Sequence, residues 1–174
     1  MVVFLPGFWE RPAASREGVS VECGDYSREG ISRALAAGHR TFLIGSDAIA
    51  MKSGWMLAGD HIALFGTGAL AGPNDDSIGP RFPNLRGMYL VPGQGHSTGV
   101  VMGVPSISLA TGAELRGFPC DALVPRSVLD MAVVAGHGGA RVALALRCRT
   151  PEVPASNDFS FLNRMVQEIE GGEE

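Results

Sequence analysis

The sequence lacks the features that mark several large classes of protein. It has only three cysteines, and Cys23, Cys120 and Cys148 are widely spaced without a CxxC pair. Its four histidines are scattered as well. These spacings argue against a disulfide framework and against a zinc site, so we expect free thiols and no metal.

An excess of positive charge and a long apolar run are also missing. Lys and Arg number 14 against 18 Asp and Glu, for a net charge of -4 at pH 7, so binding to nucleic acid or to an anionic membrane is not expected. The apolar run 1–5 stops at Pro6, which is too short for a signal peptide or a membrane span. Free thiols and no membrane signal together favour a cytoplasmic location. The GxSxG, P-loop and GxGxxG motifs are absent too, so hydrolase, kinase and dinucleotide-binding functions lack support.

The composition that remains is that of a compact α/β domain. Apolar residues make up 45% of the 174 residues, with 24 glycines and 11 prolines, which is typical of a folded chain with many turns. We expect one domain over 1–170 and a disordered acidic tail over 171–174.

Hydrophobic periodicity predicts the main elements. Apolar spacing indicates helices over 27–38, 127–135 and 158–169, and short apolar runs indicate strands over 1–5, 41–44, 122–124 and 141–146. Ser27 is placed to cap the first helix, and either Ser156 or Asn157 to cap the last. The strand 41–44 should end at Gly45 and Ser46, and the segment 122–146 should form a βαβ unit. The glycine-rich stretch 66–99 has little periodicity, and a loop of that length is usually functional or part of an interface.

Residues 59–83 carry two motifs, GPND at 72–75 and GPRFP at 79–83. The stretch closely resembles the segment SDHINLTGxNPLxGPNDxxFGPRFP of the trimeric purine nucleoside phosphorylase and methylthioadenosine phosphorylase family. Two motifs at this separation rarely arise by chance. The resemblance extends over nearly all of the chain.

This resemblance implies a fold, an assembly and a reaction. The fold is α/β with a mixed central sheet flanked by helices, and the assembly is a homo-oligomer, in particular a trimer. The reaction is a glycosyl transfer, in which phosphate as co-substrate cleaves a purine nucleoside to the base and ribose 1-phosphate without a cofactor. The alignment matches about the later two thirds of a family member. It leaves out the GSGLG-type phosphate loop, so we expect a form shortened at the N-terminus.

The positions that bind phosphate in the family carry other residues here. The GRxH motif corresponds to 7–10, so Phe8 and Glu10 replace the arginine and the histidine. An apolar ring and a carboxylate do not hold a dianion. Arg11 is either a substitute for the missing arginine or an ordinary surface residue. Arg126, at the serine of the GMST motif, is a second candidate for contact with phosphate and substrate.

The positions that bind the purine also differ. Ala110 stands at the glutamate of GPxFET and Thr150 at the asparagine of LITN, so both purine anchors are absent; Thr150 remains a candidate substrate contact. Ala48, at an alanine of TNAAG, predicts a close backbone approach to ribose or base, the alternative being a tight turn after a strand. Ile78, at the phenylalanine of FGPRFP, keeps an apolar contact to the substrate of a neighbouring subunit without the ring.

Two hypotheses from different classes follow. The first is a purine nucleoside phosphorylase-like enzyme that binds a purine nucleoside and phosphate. The second, which the residues favour slightly, is a non-catalytic binding or scaffold protein that retains the fold and the oligomer interface, because fold does not imply function. A third is that a separate polypeptide supplies the missing N-terminal part.

Overall fold

A computed structural model describes residues 1–12, 22–62, 87–93 and 95–171. The strands are β1 (Val2–Phe4), β2 (Glu22–Cys23), β3 (Thr41–Ala50), β4 (Gly54–Ile62), β5 (Thr98–Val104), β6 (Ala122–Pro125) and β7 (Arg141–Arg149). The helices are α1 (Arg28–Ala36), α2 (Gly112–Gly117), α3 (Arg126–His137) and α4 (Ser160–Gly171). This central sheet flanked by helices confirms the α/β fold class expected from the sequence.

Most of the strands close into a ring. β3 and β7 run parallel and pair from Thr41 opposite Arg141 to Ile49 opposite Arg149. β7 then pairs with β4, β4 with β5, and β5 with β6, which returns to the end of β3. β1 pairs with the first half of β3, on the edge where β6 pairs with its end, and β2 pairs with β1. Because β3 and β7 have partners on both edges, their carboxyl ends are held firmly.

Alternate residues of β3 face opposite layers of the fold. Phe42 and Ile44 are buried in the core with Ile31 of α1 and with α3. Leu43 points to the other face and is buried with Leu162 of α4. A period of two with both faces apolar is what a strand covered on both sides requires.

β3 continues past the point where the sequence predicted its end. The prediction placed the end at Gly45 and Ser46, whereas the strand runs to Ala50, so the prediction is wrong. A Cβ atom added to Gly45 would lie 2.5 Å from Cζ3 of Trp9 and 2.6 Å from Cδ2 of Leu5. Gly45 therefore permits close approach of two side chains inside the sheet and does not mark a turn.

The predicted βαβ unit has the right elements but a different pairing. β6, α3 and β7 follow one another as expected. However, β6 and β7 are not neighbours, because both pair with β3 and in opposite directions. A βαβ unit needs two parallel strands in one sheet, so that interpretation is wrong. Of the predicted loop 66–99, the part 66–86 and residue 94 lie outside the described residues, and β5 begins within the predicted range, at Thr98.

Local capping signals place the first and last helices. Ser27 Oγ accepts a hydrogen bond of 3.0 Å from the N–H of Gly30 at the start of α1, as predicted. At α4, Asp158 Oδ1 accepts one of 2.9 Å from the N–H of Ser160. The bond holds the pKa of the Asp158 carboxyl below its usual value. A carboxylate, rather than Ser156 or Asn157, therefore binds the first turn.

The apolar face predicted for the last helix packs on the sheet. Its buried residues are Phe161, Leu162, Met165, Val166 and Ile169. Small side chains of β7, Ala143 and Ala145, lie opposite them in the same cluster. Of the expected tail, only Gly171 is described, and it belongs to α4.

The three cysteines are free, as expected. None of the helices in the described part of the chain is long and apolar enough to cross a lipid bilayer.

Candidate functional site

The carboxyl ends of β3 and β7 lie side by side, and the loop between β5 and α2 folds against them. In α/β proteins, ligands bind at the carboxyl ends of parallel strands. A pocket of about 160 Å³ lies there, and we call it the strand-end pocket. Its lining residues are Ile49, Ile107, Ser108, Ala110, Gly112, Arg149 and Pro151.

The lining of the strand-end pocket is apolar except at two side chains. Ser108 Oγ lies 2.7 Å from Ser106 Oγ, so the two hydroxyl groups share a hydrogen bond. Arg149 is half-buried, and its Cα partner across the β3–β7 ladder is Ile49. Side chains opposite each other in a ladder stand on the same face of the sheet, so Arg149 extends on the same side as Ile49. Within the described residues, no acidic side chain lines the pocket.

A bidentate ion pair lies next to the pocket on the same face. Arg147 Nε is 2.6 Å from Asp47 Oδ1, and Arg147 Nη2 is 3.2 Å from Asp47 Oδ2. The side chains are 12% and 28% exposed, respectively. Strand spacing puts this pair two residues before Ile49 and Arg149, or about 7 Å along the strands. The Asp47 carboxylate is therefore neutralised before any ligand reaches it.

Aromatic rings surround the Arg147 guanidinium. Its Cζ lies 5.3 Å from the ring centroids of Trp9 and Phe159 and 5.8 Å from that of Phe8. Trp55 adds an edge-to-face contact with Trp9 at 5.3 Å. Cation–π contacts of this kind strengthen when the cation is partly desolvated. The segment 7–10 thus packs on an arginine of β7, although the resemblance assigned this segment to phosphate.

Ala48 and Thr150 lie at the strand ends but do not line the pocket. Ala48 is fully buried in β3, so the alternative of a tight turn there is wrong. Its side chain joins the core under α3, because the next residue, Ile49, takes the pocket face. Thr150 follows β7, and its Oγ1 accepts hydrogen bonds from the N–H groups of Glu152 and Val153. That hydroxyl therefore closes the turn after the strand.

The remaining predicted residues are spread over the fold. Arg126 is the first residue of α3, is half-buried and does not line the strand-end pocket. Arg11 is exposed at the end of the described stretch 1–12 and does not line it either. Ile78 lies outside the described residues. The structure thus does not bring Arg11 and Arg126 together in this pocket, and their role as phosphate contacts stays a prediction.

Sequence reasoning missed Ile49, Ile107 and Arg149 as lining residues. Two of them are direct neighbours of predicted residues, since Ile49 follows Ala48 and Arg149 precedes Thr150. Strand alternation would have identified them, provided that β3 was known to continue to Ala50. Ala110, which stands where the family has its glutamate, does line the pocket.

Two histidines have partners away from the pocket. His61 Nδ1 lies 3.1 Å from the hydroxyl oxygen of Tyr89, and His96 Nε2 lies 2.9 Å from Glu168 Oε2. Burial lowers the pKa of His61 below its ordinary value, and the Asp60 carboxylate opposes this only in part. No group of three or more metal-binding side chains occurs among the residues described.

A second pocket, of about 290 Å³, lies between the first turns of α1 and α3. Its lining includes the acids Glu29 and Asp130 as well as the cation Arg28. None of the site residues predicted from the sequence is among its lining residues. We therefore take the strand-end pocket, where the predicted segments meet, as the candidate site.

No protein-family model and no curated protein sequence matches the chain. Solved structures of purine nucleoside phosphorylase from Schistosoma mansoni are similar to it. The match with one of them spans 99% of this chain and 90% of the other, at 19% identity and a TM-score of 0.68. The match with another spans 84% of this chain and only 64% of the other, at 22% identity and a TM-score of 0.57. A Schistosoma enzyme in complex with guanosine covers 86% of this chain and 69% of its own length, at 22% identity and a TM-score of 0.59.

At these identities the similarity is one of fold. It confirms that the chain has a purine nucleoside phosphorylase-like fold. The trimeric class and the N-terminal shortening expected from the sequence stay predictions.

Proposed function

We propose that this chain is a small-molecule-binding protein with a nucleoside phosphorylase fold that does not catalyse phosphorolysis. One observation carries the proposal. Ile49, Ala110 and Arg149 line one pocket, and they come from the three segments that the resemblance assigns to the purine or its ribose. The residues in those segments nevertheless have the wrong chemistry for a purine.

Phosphorolysis needs hydrogen-bond partners for the base, because negative charge develops on it as it leaves. Ala110 has no polar side-chain atom. The Thr150 hydroxyl accepts two backbone N–H groups and lies 3.2 Å from Glu152 Oε2. Among the described residues, the lining of the pocket therefore offers the base no counterpart of the family's glutamate and asparagine.

Phosphorolysis also needs a cradle for the phosphate dianion. Phe8 and Glu10 are exposed where the family has its arginine and histidine. Arg147, whose guanidinium lies against the rings of Phe8 and Trp9, is already bound to Asp47. Releasing it for phosphate would leave the Asp47 carboxylate unpaired in a half-buried place, which is unfavourable.

The second candidate is phosphorolysis of a purine nucleoside to base and ribose 1-phosphate. The likeness in fold to a phosphorylase that holds guanosine favours it. On this view Arg11 and Arg126 bind phosphate. The residues that contact the nucleoside are Ala48, Ile78, Arg126 and Thr150. Alternatively, a separate polypeptide supplies the groups that this chain lacks. The homo-oligomer, in particular a trimer, and the cytoplasmic location belong to both proposals.

Base release decides between the two. Purified protein is incubated with inosine, guanosine or methylthioadenosine in phosphate buffer, and free base is measured by chromatography. We expect no release above a sample without protein. Turnover that Arg126→Ala abolishes would establish phosphorolysis if Arg141→Ala leaves it intact. Arg141→Ala is the control because Arg141 lies at the end of β7 far from the strand-end pocket. Sedimentation of the same sample tests the oligomer, which a clean monomer would contradict.

A further inference from the structure

The strand-end pocket is small, and much of its lining is apolar. At about 160 Å³ it is smaller than the usual range for sites of drug-sized ligands, roughly 300–1,000 Å³. Ile49, Ile107 and Pro151 provide apolar walls. Leu109, between two lining residues, is 80% exposed and extends the apolar surface outside the pocket. A short apolar group fits this surface.

Arg149 provides the one cation that lines the pocket within the described part of the chain. No hydrogen bond or ion pair between described residues engages its guanidinium group, whereas Arg147, two residues earlier, is bound to Asp47. Arg149 is half-buried, and it has no partner among the residues that the structure describes. A bound anion would supply that partner.

We propose that the strand-end pocket binds a small monocarboxylate with a short apolar body, whose carboxylate pairs with Arg149. This inference rests on the proposed binding function of the same pocket. The planar guanidinium matches a carboxylate in bidentate geometry. The apolar walls cover the rest of the ligand, and Ser108, whose hydroxyl shares a hydrogen bond with that of Ser106, also lines the pocket.

Two other ligand classes fit less well. A purine presents several ring donors and acceptors, which would lose their water against Ile49, Ile107 and Ala110 without gaining partners. A phosphate dianion carries two charges into a pocket whose described lining has one cation, Arg149, beside apolar side chains. A monoanion with an apolar end satisfies both parts of the surface.

Chemical-shift titration of the ¹⁵N-labelled protein tests the proposal. The probes are 3-methylbutanoate, its neutral isostere 3-methylbutanamide, inorganic phosphate and hypoxanthine. We expect 3-methylbutanoate to shift the amides of 107–112 and 149–150 saturably. The neutral amide should bind at least about tenfold more weakly, because it loses the charge-assisted pair.

Variants locate the binding site. Arg149→Leu and Arg149→Gln should each weaken 3-methylbutanoate by at least about tenfold, and the second preserves the test if the first folds poorly. Arg141→Leu, on the same strand at its other end, is the matched control and should leave the affinity unchanged. Ala110→Leu should weaken binding by filling the pocket.

The outcomes separate this inference from the proposed function. Equal binding of 3-methylbutanoate by the protein and by Arg149→Gln overturns the inference, and so does tighter binding of hypoxanthine or phosphate than of the carboxylate. Base release, measured separately, overturns the non-catalytic proposal whichever probe binds. Binding of the carboxylate that depends on Arg149, without base release, supports both.

Discussion

The ion pair between Asp47 and Arg147 should have a larger coupling free energy than an ion pair on the protein surface. Breaking it with Asp47→Asn, Arg147→Met and the double variant gives a double-mutant cycle. The cycle isolates the coupling energy from the other contacts of each side chain. This separation matters because Arg147 also touches Trp9 and Phe159.

The magnitude follows from the geometry and the burial. The pair is bidentate at 2.6 and 3.2 Å, with side chains 12% and 28% exposed. Hydrogen bonds to charged groups contribute about 1.5–3 kcal/mol, and exposed ion pairs about 0.2–1 kcal/mol. Partial burial without full desolvation places the expected coupling energy near the middle of the first range, at about 2 kcal/mol.

Urea unfolding followed by circular dichroism measures the cycle. The free energy of unfolding falls by about 2 kcal/mol per molar urea, so a coupling energy of about 2 kcal/mol corresponds to a shift of about 1 M in the urea midpoint. The matched control is the pair between Asp25 and Arg33, at 2.7 Å, whose side chains are 62% and 65% exposed. Its coupling should be below about 1 kcal/mol and should vanish in 1 M salt, where the Debye length is about 3 Å.

Equal coupling energies for the two pairs would refute the reasoning, since the bonds are of similar length and only burial and geometry differ. Loss of the Asp47–Arg147 coupling in 1 M salt would refute it as well. Either result would mean that solvent screens the strand ends as it screens the surface.

Two further predictions test the fold around the site. Gly45→Ala should lower the free energy of unfolding by about 1–3 kcal/mol, because the added methyl group meets Trp9 and Leu5 inside the sheet. Thermal unfolding measures this change. A stability equal to that of the parent protein would contradict the close approach. Burial lowers the pKa of His61, so the unfolded chain binds the proton more tightly. The stability that this residue contributes is therefore present above its unfolded pKa of about 6.5 and is lost as pH falls below it. Between pH 7.5 and pH 5.5, the free energy of unfolding should fall more for the parent protein than for His61→Gln. Equal decreases in the two proteins would contradict the pKa shift.

One position of the candidate site could be found from the sequence, and others could not. Ala110 stands where the family has its purine-binding glutamate, and it lines the pocket. Arg149 was passed over although it adjoins Thr150, because the side of a strand that a residue faces depends on where the strand begins and ends. The ion-pair partner of Arg147 could not be predicted from the sequence either, since Asp47 lies 100 residues away.

The sequence by itself determined the elements whose causes are local. Ser27 caps α1 through a bond to a residue three positions on, and the apolar face of α4 follows from spacing along one helix. Only the tertiary structure decided how far β3 extends, which strands pair and which arginine pairs with Asp47. These depend on long-range pairing, in which β3 must meet β7 and β6 before the ring can close. The hydrogen bonds that select that pairing are between backbone groups that every residue carries, so the side-chain pattern cannot specify it alone.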